Sequence, residues 1–217
     1  MTGNRPARLV LVTGTGTGVG KTWWTAAVAR ELRTRGVTVV ARKPAQSFES
    51  GSGATDAEVL AAATGASLES VCPRHRWYEV EMAPPMAANV LGRDGFTIAD
   101  LVAELTWPDR VDVGFVEGAG GPRSPLADDG DTVDLAAGIG PDAIVLVADA
   151  GLGTINAVRL AVPVLAIVAP VTVVLNRYED QDLHRANRDW LAHDGGFDVV
   201  RSVAELADRL APAPPGS

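Results

Sequence analysis

Nine consecutive residues, Gly14-Thr15-Gly16-Thr17-Gly18-Val19-Gly20-Lys21-Thr22, leave few folds open to this chain, because they link an apolar β-branched run to a helical pattern. Small residues there let backbone N–H groups converge on phosphate oxygens, and the N-terminus of the following helix adds its positive end. Lys21 can reach the terminal phosphates and Thr22 can ligate Mg²⁺. Gly14 stands six residues before Gly20, where the common Gly-x-x-x-x-Gly-Lys-Ser/Thr pattern has five, so the loop is one residue longer than usual. Thr17, Gly18, Val19, Gly20, Lys21 and Thr22 are the expected nucleotide contacts.

The rest of the chain fits a sheet that presents such a loop. Short apolar runs recur at 9–13, 37–42, 111–116, 143–148, 171–175 and 197–200. Hydrophobicity that is continuous rather than alternating marks strands buried on both faces, hence a parallel sheet covered by helices. Helices are expected over 21–35, 56–64, 98–105, 133–137 and 154–162, with Thr55 as an N-cap and Gly36 and Gly65 as C-caps. Strand and helix alternation predicts an α/β fold with a doubly wound, mainly parallel sheet in a single domain over 1–211. A Pro-rich tail over 212–217 is expected to be disordered. The apolar stretch from Leu160 to Leu175 is too short for a membrane span and holds Pro163 and Pro170, so it reads as a helix end, a turn and a buried strand.

Composition excludes some partners. With 19 basic and 27 acidic residues the net charge is −8, which gives no field to hold nucleic acid. One cysteine, Cys72, cannot build a disulfide framework, and no apolar leader precedes the first strand, so a cytoplasmic setting is expected with no membrane partner. His75, His184 and His193 lack ligand spacing. The acidic run Asp128, Asp129, Asp131 and Asp134 reads as a solvated loop rather than a second metal site.

In an open parallel sheet, ligands sit beyond the carboxyl ends of the strands. The residues following the runs are Arg42-Lys43-Pro44, Glu117-Gly118, Asp149-Ala150-Gly151 and Asn176-Arg177, so each strand delivers a functional group to one rim. Lys43 suits a phosphate or transition-state contact. Thr22, Asp56 and Glu117 would make an oxygen-ligand set for Mg²⁺. Asn176 could cap its strand or pair with a base edge.

Several segments together resemble the dethiobiotin synthetase family of P-loop NTPases. They are Val12 to Thr22, Lys43-Pro44-Ala45-Gln46-Ser47, Thr55-Asp56-Ala57, Val116-Glu117-Gly118-Ala119-Gly120-Gly121, Gly151-Leu152-Gly153-Thr154-Ile155-Asn156 and Val174-Leu175-Asn176-Arg177, in family order. The resemblance implies conversion of 7,8-diaminononanoate, CO₂ and ATP into dethiobiotin, ADP and phosphate with Mg²⁺. It assigns Lys21 and Lys43 to the migrating phosphoryl group, Thr22, Asp56 and Glu117 to the metal, and Asn176 to the base. It also assigns Ser47 and Gly118 to the substrate, and gives Gly153, Thr154, Ile155 and Asn156 the substrate carboxylate of a neighbouring subunit, which implies a homodimer. The chain departs from the family pattern at Trp23, Trp24, Phe48, Pro122-Arg123 and Ala157, which bear on the diamine and the base. Two other readings keep the fold: a paralogous ATP-dependent ligase for another amine or carboxylate, and a ParA/MinD-like nucleotide switch. The switch reading calls for a lysine early in the phosphate loop, and 14–17 holds none.

Overall fold

Val10, Leu11 and Val12 lie at 0 to 1% exposure in the first strand, so both faces of that strand are covered. A strand with no polar face must sit inside a sheet with helices on each side. The computed structural model describes residues 5–51 and 53–212; of the expected tail only Pro212 is among them. In chain order the elements are β1 (Arg8–Gly14), α1 (Lys21–Thr34), β2 (Val39–Arg42), β3 (Gln46–Ser47), α2 (Asp56–Thr64), α3 (Leu68–Val71), β4 (Trp77–Tyr78), α4 (Pro84–Val90) and α5 (Ile98–Glu104). They continue with β5 (Val113–Glu117), β6 (Pro125–Ala127), β7 (Gly130–Asp131), α6 (Thr132–Ile139), β8 (Ala143–Asp149), α7 (Thr154–Ala166), β9 (Val171–Asn176), α8 (Asp182–Asp189), β10 (Asp198–Val200) and α9 (Val203–Leu210).

Six strands form one sheet in the order β10-β9-β8-β1-β5-β2, and every neighbouring pair is parallel. All six carboxyl ends therefore share one edge. Alternate side chains feed two cores. Leu9, Leu11, Val116, Ile144 and Leu146 pack against residues of α5, α6 and α7, while Val10, Val12, Phe115, Val145 and Val147 pack against α1, α2 and α9. The six expected runs match the six strands of this sheet.

Local chemistry explains most element ends. Thr55 caps α2 in a reciprocal box with Glu58, and Gly65 closes that helix at φ 74°. Three expectations need correction. The C-cap of α1 is Arg35, with Gly36 just beyond at φ 81°. Helix α6 spans Thr132–Ile139, longer than expected at both ends because Asp131 caps it through the N–H groups of Val133 and Asp134. Helix α7 runs through Pro163 to Ala166 instead of stopping near Val162. Pro163 removes one N–H, and its exposed position leaves the bereft carbonyl to solvent. The acidic run is structural: Asp128 and Asp129 accept the N–H groups of Phe96 and Ile98, and Asp131 also pairs with Arg123 at 2.9 Å.

Candidate active site

The phosphate loop leaves β1 at the shared edge and enters α1 at Lys21. Gly20 sits at φ 100°, and a Cβ there would lie 2.2 Å from Asn176 Nδ2, so only glycine lets β9 pack against the loop. Lys21 is 7% exposed, and its ammonium donates to the Gly16 carbonyl at 3.0 Å, curled over its own loop. Burial first, and then the neighbouring Lys43, lower its pKa to about 8.

Lys43, Asp56, Glu117 and Thr22 form one cluster, although they come from the segment after β2, the start of α2, the end of β5 and the start of α1. Lys43 Nζ lies 2.7 Å from Asp56 Oδ2 and 2.9 Å from Glu117 Oε1, and it donates to the Gly118 carbonyl at 3.0 Å. Thr22 Oγ1 is 2.7 Å from both Asp56 Oδ1 and Glu117 Oε1. Burial opposes the charge on Lys43, but Asp56 and Glu117 overcome it and hold the ammonium well above the usual lysine range. Burial likewise works against ionised Asp56, yet the charge and hydrogen bond of Lys43, followed by the Thr22 hydroxyl, bring its pKa down to about 2. Two carboxylates and a hydroxyl, all hard oxygen donors beside a phosphate loop, suit Mg²⁺, which takes a few protein oxygens and completes its shell with phosphate and water.

Two clefts open beside this cluster. The larger, about 790 Å³, is lined by Thr17, Gly18, Gly20, Lys21, Thr22, Lys43, Ser47 and Asp56, and by Phe48, Glu81 and Met82. The short parallel pair β3 and β4 brings Ser47 there, where its hydroxyl donates to the Met82 carbonyl at 2.5 Å. The second cleft, about 650 Å³, is lined by Gly20, Trp23, Trp24, Asn176, Arg177, Tyr178, Arg201 and Ser202. Trp23 borders both. Asn176 is already engaged: its Oδ1 accepts from Trp24 Nε1 at 2.9 Å, and its Nδ2 donates to the Val19 carbonyl at 2.8 Å.

The expected residues therefore divide into groups. Thr17, Gly18, Gly20, Lys21, Thr22, Lys43, Ser47 and Asp56 line the large cleft; Glu117 and Gly118 lie behind it and hold Lys43; Asn176 lines the second cleft and donates to the carbonyl of Val19, which lines neither. Gly153, Thr154, Ile155 and Asn156 line neither and sit at the start of α7. Sequence reasoning missed Thr25, whose hydroxyl donates to Glu117 Oε2 at 2.8 Å from one helical turn beyond Lys21. Its spacing on the face of α1 that carries Lys21 and Thr22 was the available signal. It also left Arg177 without a role; this residue is held at φ 55° while donating to Asp149 at 2.7 Å and to the Gly18 carbonyl at 2.9 Å. Ser202, which also lines the second cleft, is the N-cap of α9.

A phosphate loop on a parallel sheet, with a lysine, a Mg²⁺-type oxygen set and a nucleoside-sized cleft, defines a P-loop NTPase. A family model described as an AAA domain matches residues 8–212. Solved structures with the same architecture include a plasmid partition protein from Borrelia burgdorferi (TM-score 0.55, 11% identity, 95% of this chain and 96% of that one). The signal recognition particle receptor FtsY from Elizabethkingia anophelis is another (TM-score 0.53, 15% identity, 96% and 66%). At such identities they speak for the fold alone. Sequence relatives go further. The chain is 36% identical over 211 residues to the ATP-dependent dethiobiotin synthetase BioD of Rhodococcus jostii, covering 94% of this chain and 90% of the relative. It is 39% identical over 210 residues to that of Haloferax mediterranei, covering 92% and 87%. The chain belongs to the dethiobiotin synthetase family.

Proposed function

We propose that this protein closes a cyclic urea from a vicinal diamine, CO₂ and ATP, making dethiobiotin from 7,8-diaminononanoate in biotin synthesis. The observation that carries the reading is the cluster of Lys43, Thr22, Asp56 and Glu117 where the phosphate loop opens into the large cleft. One amine adds to CO₂ to give a carbamate. A carbamate oxygen then attacks the γ-phosphorus, ADP leaves, and a carbamic–phosphoric anhydride forms. The second amine attacks the carbonyl carbon, phosphate departs, and loss of a proton leaves the ring. No side chain needs to become a nucleophile, so positioning and charge neutralisation carry the catalysis.

Each residue then has a task. Lys21 and Lys43 neutralise the migrating phosphoryl group, Lys21 from the loop and Lys43 from the floor. Ser47 and Gly118 border the carbamate and diamine. Thr17, Gly18, Val19 and Gly20 wrap the phosphates, and Asn176 meets the base. Thr22, Asp56 and Glu117 would hold Mg²⁺, which would supply charge neutralisation at the phosphates.

Gly153, Thr154, Ile155 and Asn156 fall outside the chain's own clefts, which supports their acting on a partner's substrate in a homodimer. Leu152, Leu160 and Ile167, at 92%, 70% and 80% exposure, give that side an apolar surface suited to a second copy. The free buried thiol of Cys72 suits the cytoplasm, and no helix among the described residues is long and apolar enough to cross a membrane. Residues 1–211 are taken as the working unit.

Phosphate release from ATP should require Mg²⁺, bicarbonate and the diamine together. Release that continues unchanged without the diamine refutes the synthetase reading. Sedimentation equilibrium should return twice the chain mass; a monomer at micromolar concentration refutes the shared site.

A further inference from the structure

We propose that Trp24 sets which purine the site accepts, by fixing the orientation of the Asn176 carboxamide. The inference rests on the reading of the second cleft as the base subsite. A carboxamide carries two N–H donors and two acceptor lone pairs, and a half-turn about its last bond exchanges them. Here the half-turn is blocked. Trp24 Nε1, a donor only, faces Asn176 Oδ1 at 2.9 Å, and the Val19 carbonyl, an acceptor only, faces Nδ2 at 2.8 Å. Rotation would set N–H against N–H and oxygen against oxygen. Gly20 packs close beside the carboxamide, where an added Cβ would lie 2.2 Å from Nδ2. Trp24 is itself held: it is 4% exposed, packed in the core under α1, with Trp23 edge-on at 5.4 Å.

Each anchor uses half of one amide atom's capacity. One N–H and one lone pair remain on Asn176, which lines the cleft. Adenine offers an N7 acceptor beside an amino donor at position 6, whereas guanine offers acceptors at both. N7 is common to the two purines and takes the N–H from either. Position 6 decides: the Asn176 oxygen accepts from the adenine amino group but meets the guanine oxygen lone pair to lone pair. Without the indole N–H, Oδ1 loses its anchor and only the Val19 carbonyl holds the carboxamide, so its oxygen no longer faces position 6 at a fixed angle and the sharpness of the discrimination sits with Trp24 as a positioning residue.

The test is kcat and KM for ATP and GTP, read as phosphate release with saturating diamine and bicarbonate, in the wild type and in Trp24→Phe. One bidentate base contact corresponds to roughly 10- to 100-fold discrimination, and that ATP preference in kcat/KM is expected of the wild type. Trp24→Phe keeps the packed ring but loses the N–H, and should shrink the preference about fivefold or more, through KM rather than kcat. Equal use of GTP by the wild type, or an unchanged preference in the variant, overturns the inference while leaving the synthetase reading intact; no turnover with either nucleotide sinks that reading instead. If Trp24→Phe fails to fold, indole N–H exchange in the ¹⁵N-labelled wild type decides. The Trp24 proton should exchange more slowly than that of Trp23 and should speed up in Asn176→Ala. Fast exchange in the wild type overturns the proposal.

Discussion

Replacing Lys43 with methionine keeps the stem in its pocket and deletes only the charge, which isolates what the cation contributes. Lys43 is 1% exposed and Glu117 is 0%, and the ammonium contacts two carboxylate oxygens at 2.7 and 2.9 Å. At an effective dielectric constant of about 20, each contact is worth roughly 6 kcal/mol before desolvation is counted. Breaking a buried pair by removing one partner costs about 3–5 kcal/mol net. For a chain of this size that is a fall in melting temperature of roughly 6–20 °C. The pH dependence between 5 and 8 should also change. In the wild type Asp56 has a pKa of about 2, below its ordinary 3.8, so its contribution is present above 3.8 and lost as pH falls toward 2. Without Lys43, burial and the facing Glu117 carboxylate raise the Asp56 pKa above the unfolded value, and the variant should gain stability as pH falls from 7 toward 5. Circular-dichroism melts of both proteins between pH 5 and 8 read this directly. Turnover at saturating ATP should fall about 100-fold or more, the scale of losing one preorganised charge contact. A Lys43→Met protein that melts within 2 °C of the wild type, or that shows the same pH slope, refutes the ion-pair account.

Three further outcomes follow from the same geometry. Lys21, with its pKa near 8, loses its proton in the free enzyme as pH rises, so ATP affinity by titration calorimetry should weaken above pH 8, approaching ~tenfold per pH unit; a flat profile from pH 7.5 to 9.5 contradicts the assignment. Thr25→Val removes the hydroxyl that serves Glu117 Oε2 and should cost about 1–3 kcal/mol in urea unfolding while raising the Mg²⁺ concentration needed for half-maximal rate. Asp131→Ala removes the α6 cap and the Arg123 pair and leaves Lys21, Lys43, Thr22, Asp56 and Glu117 untouched. It should lower stability by about 1 kcal/mol with kcat unchanged, and a changed kcat would show that α6 does more than cover the sheet.

The central strands were legible in the sequence because burial on both faces removes every polar position, as in the unbroken apolar run from Ile144 to Ala148. The rim residues were legible because a parallel sheet sends all carboxyl ends to one edge, so Lys43, Glu117 and Asn176 could be placed together without knowing the strand order. What stayed hidden has physical reasons. Strands β3 and β4 are two residues each, too short to show any period, yet they carry Ser47 into the cleft. Helix α8 is mostly polar and buries only His184 and Asn187, so no apolar stripe announces it. The N-cap Ser202 of α9 did carry a signal, since Glu205 stands three residues later. The contact between Trp24 and Asn176 joins residues 152 positions apart, and no local pattern encodes such a pairing.

The central claim is that one phosphate is spent for each urea ring closed. It is tested most directly by incubating the protein with ATP, Mg²⁺, 7,8-diaminononanoate and ¹³C-bicarbonate, then following carbon by NMR and phosphate in the same sample. A single ¹³C urea carbonyl in a cyclic product and one phosphate released per ring are expected. Phosphate release without a labelled ring, or a labelled ring formed without ATP, would contradict the claim.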